Sequence, residues 1–255
     1  MRRGALIASV FLVFVSCERL TTPPTPPGVP AGAQYERAIR LWTYQAASGE
    51  SRTYFEQGQL AMRGHYVQGL KDGLWQSFST DGDQITAEGR YNRGWHDGVW
   101  RYFDTRGQVY LTVEYKMEPR RADLLLLTTE IGNENGVYRR YYPDGSLEEE
   151  GHFWSGYFHG PFRHYHPNNR GLAIAGRFER DQKIGQWRYY YADGTLERVE
   201  NYKDGVLDGV QQNYYPDGSL YHSSVYANGE RLRLMEIRPL PGREGSDATR
   251  ANDDA

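Results

Sequence analysis

The stretch Gly185-Gln186-Trp187-Arg188-Tyr189-Tyr190-Tyr191-Ala192-Asp193-Gly194-Thr195-Leu196, continued by Tyr202-Lys203-Asp204-Gly205-Val206-Leu207-Asp208-Gly209, decides how this chain folds. Aromatic residues flank Asp-Gly pairs, and no apolar period of 3.6 residues survives glycines this frequent. Asp-Gly between two β-prone runs reads as a hairpin turn, because glycine accepts the positive φ that closes it. The same pattern recurs along the chain. Gly49, Gly73, Gly98, Gly136, Gly185 and Gly209 each have a glycine nine residues on, and Gly160 pairs with Gly171. Five residues after each of these seven anchors stands an aromatic: Tyr54, Phe78, Phe103, Tyr141, Tyr165, Tyr190 and Tyr214. Two residues after come Trp75, Trp100, Tyr138, Phe162 and Trp187, with Ser51 and Gln211 as the weak positions at the two ends. Seven residues before stand Trp42, Tyr66, Tyr91, Phe153, Phe178 and Tyr202.

Successive anchors are 24, 25, 38, 24, 25 and 24 residues apart. Two strands of about five to seven residues plus two turns fill such a period. The expected fold is therefore all-β: about seven antiparallel β-hairpins over residues 35–235, stacked into a single-sheet solenoid because one hairpin alone is marginal. The inner turns are expected at Asp81-Gly82, Asp193-Gly194 and the Tyr-Pro-Asp-Gly runs 142–145 and 215–218. The outer turns are expected at Lys71-Asp72-Gly73, His96-Asp97-Gly98 and Leu207-Asp208-Gly209. The interval of 38 marks an insertion at about 116–132, which is expected to interrupt the ladder of rings.

The unit, an aromatic two and five residues after glycine followed by Asp-Gly-x-Leu, resembles the MORN repeats, and most of all their longer bacterial variant. The resemblance covers roughly residues 42–229. It implies a hairpin-repeat sheet with no catalytic motif. Proteins of this variant include the YwqK-type antitoxins, so the resemblance implies a partner protein, a toxin in that case.

The ends read differently. Met1-Arg2-Arg3 and the apolar run Gly4–Val15 have the layout of a secretory signal over residues 1–16. That run is too short to span a hydrocarbon core of about 30 Å. The chain's one cysteine follows it, and Phe14-Val15-Ser16-Cys17 resembles the lipobox of bacterial lipoproteins, with Phe14 where leucine is usual. The resemblance implies lipid attachment at Cys17 and a place in the bacterial cell envelope. Glu18, rather than aspartate, after the cysteine points to the outer membrane. Five prolines within 17–34 predict an extended tether, and residues 236–255 a disordered tail.

The charge balance of 30 basic against 33 acidic residues argues against a nucleic-acid partner. One cysteine leaves no internal disulfide and no cysteine-cluster zinc site. His164 and His166 alternate near His152 and His159, but no further ligand stands at diagnostic spacing, so neither a metal nor a cofactor is expected. Glu148-Glu149-Glu150 reads as a solvated strand with one inward residue. No catalytic residues are assigned, since the hydrolase, metalloprotease and phosphate-loop motifs are missing from the sequence. The expectation is a non-catalytic envelope lipoprotein that binds a protein. A glycan-binding or cell-wall-binding repeat protein and an envelope structural protein without dedicated ligand are the alternatives.

Overall fold

The computed structural model describes residues 22–116, 134–168 and 170–237. The signal segment, Cys17, residues 117–132 of the insertion and the tail from residue 238 lie outside the described residues. Among the described residues nineteen strands form one open antiparallel sheet in which pairing follows the order of the chain. Seven hairpins make up most of it. They are β3 (Glu50–Phe55) with β4 (Leu60–Val67), β5 (Leu70–Phe78) with β6 (Ile85–Asn92), and β7 (Trp95–Phe103) with β8 (Val109–Tyr115). Next come β9 (Glu134–Tyr141) with β10 (Leu147–Trp154), β12 (Gly160–Tyr165) with β13 (Leu172–Glu179), β14 (Gln182–Tyr190) with β15 (Leu196–Lys203), and β17 (Gly209–Tyr214) with β18 (Leu220–Ala227). β11 (Tyr157–Phe158) and β16 (Val206–Leu207) are short pieces preceding β12 and β17. β1 (Gln34–Glu36) and β2 (Leu41–Gln45) open the sheet, and β19 (Glu230–Ile237) closes it.

The inner turns lie where the Asp-Gly pairs are. In the turn after β9, Gly145 N–H donates to the Tyr142 carbonyl at 2.8 Å, Tyr142 N–H donates to Ser146 at 2.8 Å, and Gly145 has φ +83°. The aspartate fastens the turn, with Asp144 Oδ1 accepting from Ser146 N–H at 2.8 Å. Asp193 and Asp217 do the same for Thr195 and Ser219. The next strand then carries one extra residue, a bulge that shifts the register between Asn213 and Tyr214 and at the matching place in other hairpins.

The outer turns are not where they were expected. Lys71-Asp72-Gly73 and His96-Asp97-Gly98 lie inside β5 and β7, and Leu207-Asp208-Gly209 joins β16 to β17. The chain reverses earlier, at Gln68-Gly69 (φ +52° and +79°), Arg93-Gly94 (+48° and +88°) and Asp204-Gly205 (+50° and +84°). Positive φ at both central residues is the two-residue hairpin loop that matches strand twist. The anchor glycines also have positive φ, such as +69° at Gly73 and +61° at Gly185, but they use it for a bulge within the strand. His65 pairs with Asp72 and Arg63 with Gln76, so Gly64 alone faces Gly73, Leu74 and Trp75.

That bulge builds the core. It brings the Trp75 indole over Gly64, where an added Cβ would lie 2.1 Å from the ring. Gly89 takes Trp100 and Gly176 takes Trp187 in the same way, at 2.2 and 2.1 Å. Trp75 and Trp100 donate their indole N–H to the His65 and Arg90 carbonyls beside the bulge, at 3.2 and 3.0 Å. Rings then meet edge to face along the sheet, Tyr66 to Trp75 to Tyr91 to Trp100, with centroids 5.2 to 5.9 Å apart.

The ladder crosses the insertion without a break. β8 pairs with β9, Val113 facing Tyr138 and Tyr115 facing Glu134, and Tyr115 and Tyr138 belong to one buried cluster with Trp75 and Trp100. The expected interruption is overturned because the strands on either side of the insertion pair directly with each other. Of the expected tether, the chain from Pro26 to Ala33 makes two turns rather than extending, and Pro27 rests on Gly58 of the β3–β4 turn.

Four substitutions probe this architecture. Gly176→Ala should cost about 1–3 kcal/mol by driving a methyl into the Trp187 ring. Trp187→Ala should cost about 3–5 kcal/mol as a large-to-small core change. Gly194→Val should destabilise more than Gly194→Asn, since asparagine tolerates positive φ. Urea denaturation of the four variants beside the parent checks the order; equal tolerance would contradict the packing described.

Candidate functional site: the two faces of the sheet

Side chains alternate across a strand, so the two expected aromatic columns part company. Trp75, Trp100, Tyr138, Phe162 and Trp187 lie on one face, here the indole face. Phe78, Phe103, Tyr141, Tyr165, Tyr190 and Tyr214 lie three residues further on and occupy the opposite face.

The indole face is closed. Trp187 is 1% exposed and Trp75 3%. A column two residues before the anchors fills the gaps between rings. Lys71 lies 4.9 Å from the Trp75 ring, His96 stacks against Tyr91 and Tyr115, and Phe158 contacts Phe153 and Phe178. Burial lowers the pKa of Lys183, whose ammonium is 4.4 Å from the Trp187 ring and donates to Tyr189 at 3.1 Å. In the last unit the glycine–indole pair is replaced by Glu200 and Gln211. Glu200, 5% exposed, accepts from Tyr202 at 2.9 Å and from Gln211 at 3.2 Å, and Arg198 lies 3.5 Å away. The weak end position is thus a polar stop to the ring ladder.

Glu148-Glu149-Glu150 is not a solvated run. The bulge after the β9–β10 turn turns both Glu148 and Glu149 toward Arg140, which contacts each carboxylate at 2.9 Å. Glu149 also accepts from Tyr138 at 3.1 Å and lies 3.3 Å from His164 Nδ1. Glu148, Glu149 and His164 therefore come close enough to share a metal ion. The guanidinium of Arg140 already occupies the carboxylates, so the arrangement is an ion-pair network across three strands. His166 lies outside it, bonding the Tyr190 carbonyl at 2.9 Å. Sequence spacing missed this meeting because the bulge and the turn create it.

Among the described residues the opposite face is open, and one line of directly facing residues crosses it. From β3 to β18 it contains Arg52, Arg63, Glu88, Arg101, Arg139, Glu150, Arg163 and Arg188 among neutral residues. Glu150 serves two arginines, at 2.9 Å from Arg163 and 3.7 Å from Arg139, while Glu88 lies 3.7 Å from Arg101. Arg188 stands between Ala175 and Val199, which offer no carboxylate. The arginine side chains are 45% exposed at Arg139 and 52% at Arg101 and Arg163. Five of the six stand three residues after an anchor glycine, a column present in the sequence but hidden there by the balanced total charge.

Four segments match the MORN repeat variant: residues 47–68, 134–155, 183–204 and 207–228. Each matched MORN segment covers one strand, an inner turn and the returning strand, and the hairpins β5–β6, β7–β8 and β12–β13 repeat that geometry between them. No curated protein matches the chain. A porin-like protein from Bacteroides uniformis ATCC 8492 is 10% identical to it, with 78% of this chain and 91% of that chain covered and a TM-score of 0.18. Among the described residues no helix is long and apolar enough to cross a membrane.

Burial, with the Glu149 carboxylate beside it, pushes the Tyr138 phenol up to about 12 from an ordinary 10.0. A raised folded-state value favours the neutral ring, so its contribution is complete below pH 10 and declines as pH rises toward 12. Burial also raises other phenols, Tyr189 among them, so spectrophotometric titration should show a group of late phenols from which Tyr138→Phe removes one, and the variant should lose less stability than the parent between pH 10 and 12.

Proposed function

We propose that this protein is a non-catalytic repeat scaffold that binds a protein partner, held at the bacterial envelope through lipid on Cys17. The observation that supports it is the open face, a surface that successive hairpins present among the described residues and line with exposed arginine and half-buried tyrosine. Repeat sheets supply extended binding surfaces, and these two residue types are favoured at interface hot spots. The polar groups that do converge, around Glu149 and Glu200, are bonded to one another within the sheet, an arrangement suited to holding strands together. An antitoxin-like role, with a toxin as partner, follows the resemblance to the YwqK-type proteins and stands as the more specific form of the proposal.

Chemical cross-linking in the native envelope followed by purification and mass spectrometry tests the scaffold reading. One protein should be recovered in stoichiometric amount, and recovery of cell-wall glycan in its place would refute it. Fractionation tests the anchor. Cys17→Ser should move the protein from the membrane fraction to the soluble one, and unchanged retention would refute lipid attachment.

A further inference from the structure

We infer that the arginine-lined face is the docking surface and that its occupant is a protein surface carrying carboxylates beside apolar side chains. The inference rests on the protein-binding reading and adds the face and the chemistry of the partner. The indole face is excluded on its own geometry, since its rings are buried under one another and leave no ring face for a partner.

Charge argues for the carboxylates. The line from β3 to β18 holds six arginines against two glutamates, and with Glu50, paired to Arg52 at 2.7 Å, three positive charges stay in excess in a chain of net −3. One glutamate is shared by two arginines, and Arg188 faces only Ala175 and Val199. Guanidinium groups in this state are ready for bidentate pairing with an incoming carboxylate. Exposed aliphatics argue for the apolar part. In the adjoining row, two positions before Gln76, Arg101 and Gln212 of the line, lie Leu74, Val99 and Val210, exposed by 52, 46 and 38%. A hydroxylated sugar chain would leave these uncovered.

The sheet's rim argues against a flat anionic bilayer. The inner turns carry the exposed Asp81, Asp144, Asp193 and Asp217, which an extended anionic surface would approach together with the arginines. A protein seated on the middle of the face avoids them. Size also fits. Fourteen strands at about 4.8 Å span roughly 60 Å, and strands of about 20 Å give near 1,200 Å², more than the roughly 800 Å² per partner of a standard interface.

The test uses the full chain and a fluorescent random copolymer of glutamate and tyrosine, with heparin and phosphatidylglycerol vesicles as competing probes. Binding is read by anisotropy at two salt concentrations. The parent should bind the copolymer in preference to both competitors, more weakly at high salt. The triple variant Arg101→Glu, Arg163→Glu, Arg188→Glu should lose at least about tenfold in affinity. A control triple of equal charge change, Arg37→Glu, Arg170→Glu, Arg231→Glu, should stay within about twofold. If the reversed triple fails to fold by circular dichroism, Arg101→Gln, Arg163→Gln, Arg188→Gln replaces it, with the same expectation. Equal loss in both triples, no copolymer binding, or preference for heparin or vesicles would each overturn the inference. Cross-linking of the same variants separates the two readings. A captured partner unaffected by the arginine triple would sink the face assignment and leave the scaffold reading intact, whereas capture of glycan alone would end both.

Discussion

The structure depends on one contact, an indole laid flat over a glycine of the neighbouring strand. A sheet with one layer has no second layer against which to bury its rings, so the rings must be buried against the sheet itself. Gly64, Gly89 and Gly176 make this possible by having no Cβ, and the bulges at Gly73, Gly98 and Gly185 swing Trp75, Trp100 and Trp187 over them. Each ring then covers the edge of the next, and the core runs along the sheet as a strip. Where the pair is lost, at Glu200 and Gln211, a hydrogen-bonded polar group takes its place and the strip of rings ends.

The same contact sorts the molecule into two faces with different work. The indole face is spent on stability, with Lys71, His96, Phe158 and Lys183 closing the spaces between rings. The opposite face carries no such obligation along its centre, so arginines can stand there half exposed. The outer turns tie successive units together along the rim. Asp72 accepts from the Arg93 amide at 3.3 Å, and Asn135 accepts from the Ser155 amide at 2.8 Å, each about one repeat away. The aspartate before an anchor glycine is therefore a clamp on the next unit.

The hairpin count, the inner turns, the all-β class and the resemblance to the MORN repeat variant were all legible in residues 185–209 and their echoes. Local chemistry is sufficient there, because Asp-Gly and a fixed glycine-to-ring spacing specify backbone angles within a few residues. The outer turns were misplaced by three to four residues for a related reason: Gly69 and Gly73 both have positive φ, and a sequence does not say which reverses the chain and which bulges it. Glycines such as Gly64 and Gly176 fell outside the anchor pattern, since their purpose lies in a ring eleven residues away.

By itself the sequence determined that this chain is a repeat of short strands, with its aromatics at fixed intervals and its charges nearly balanced. Only the tertiary structure decided that Trp187 and Tyr190 look in opposite directions, that Glu149 meets His164 across β10 and β12, and that Arg52 through Arg188 form one line. The physical reason is register. Which residues face each other across strands depends on where bulges fall, and one extra residue turns every later side chain to the other face.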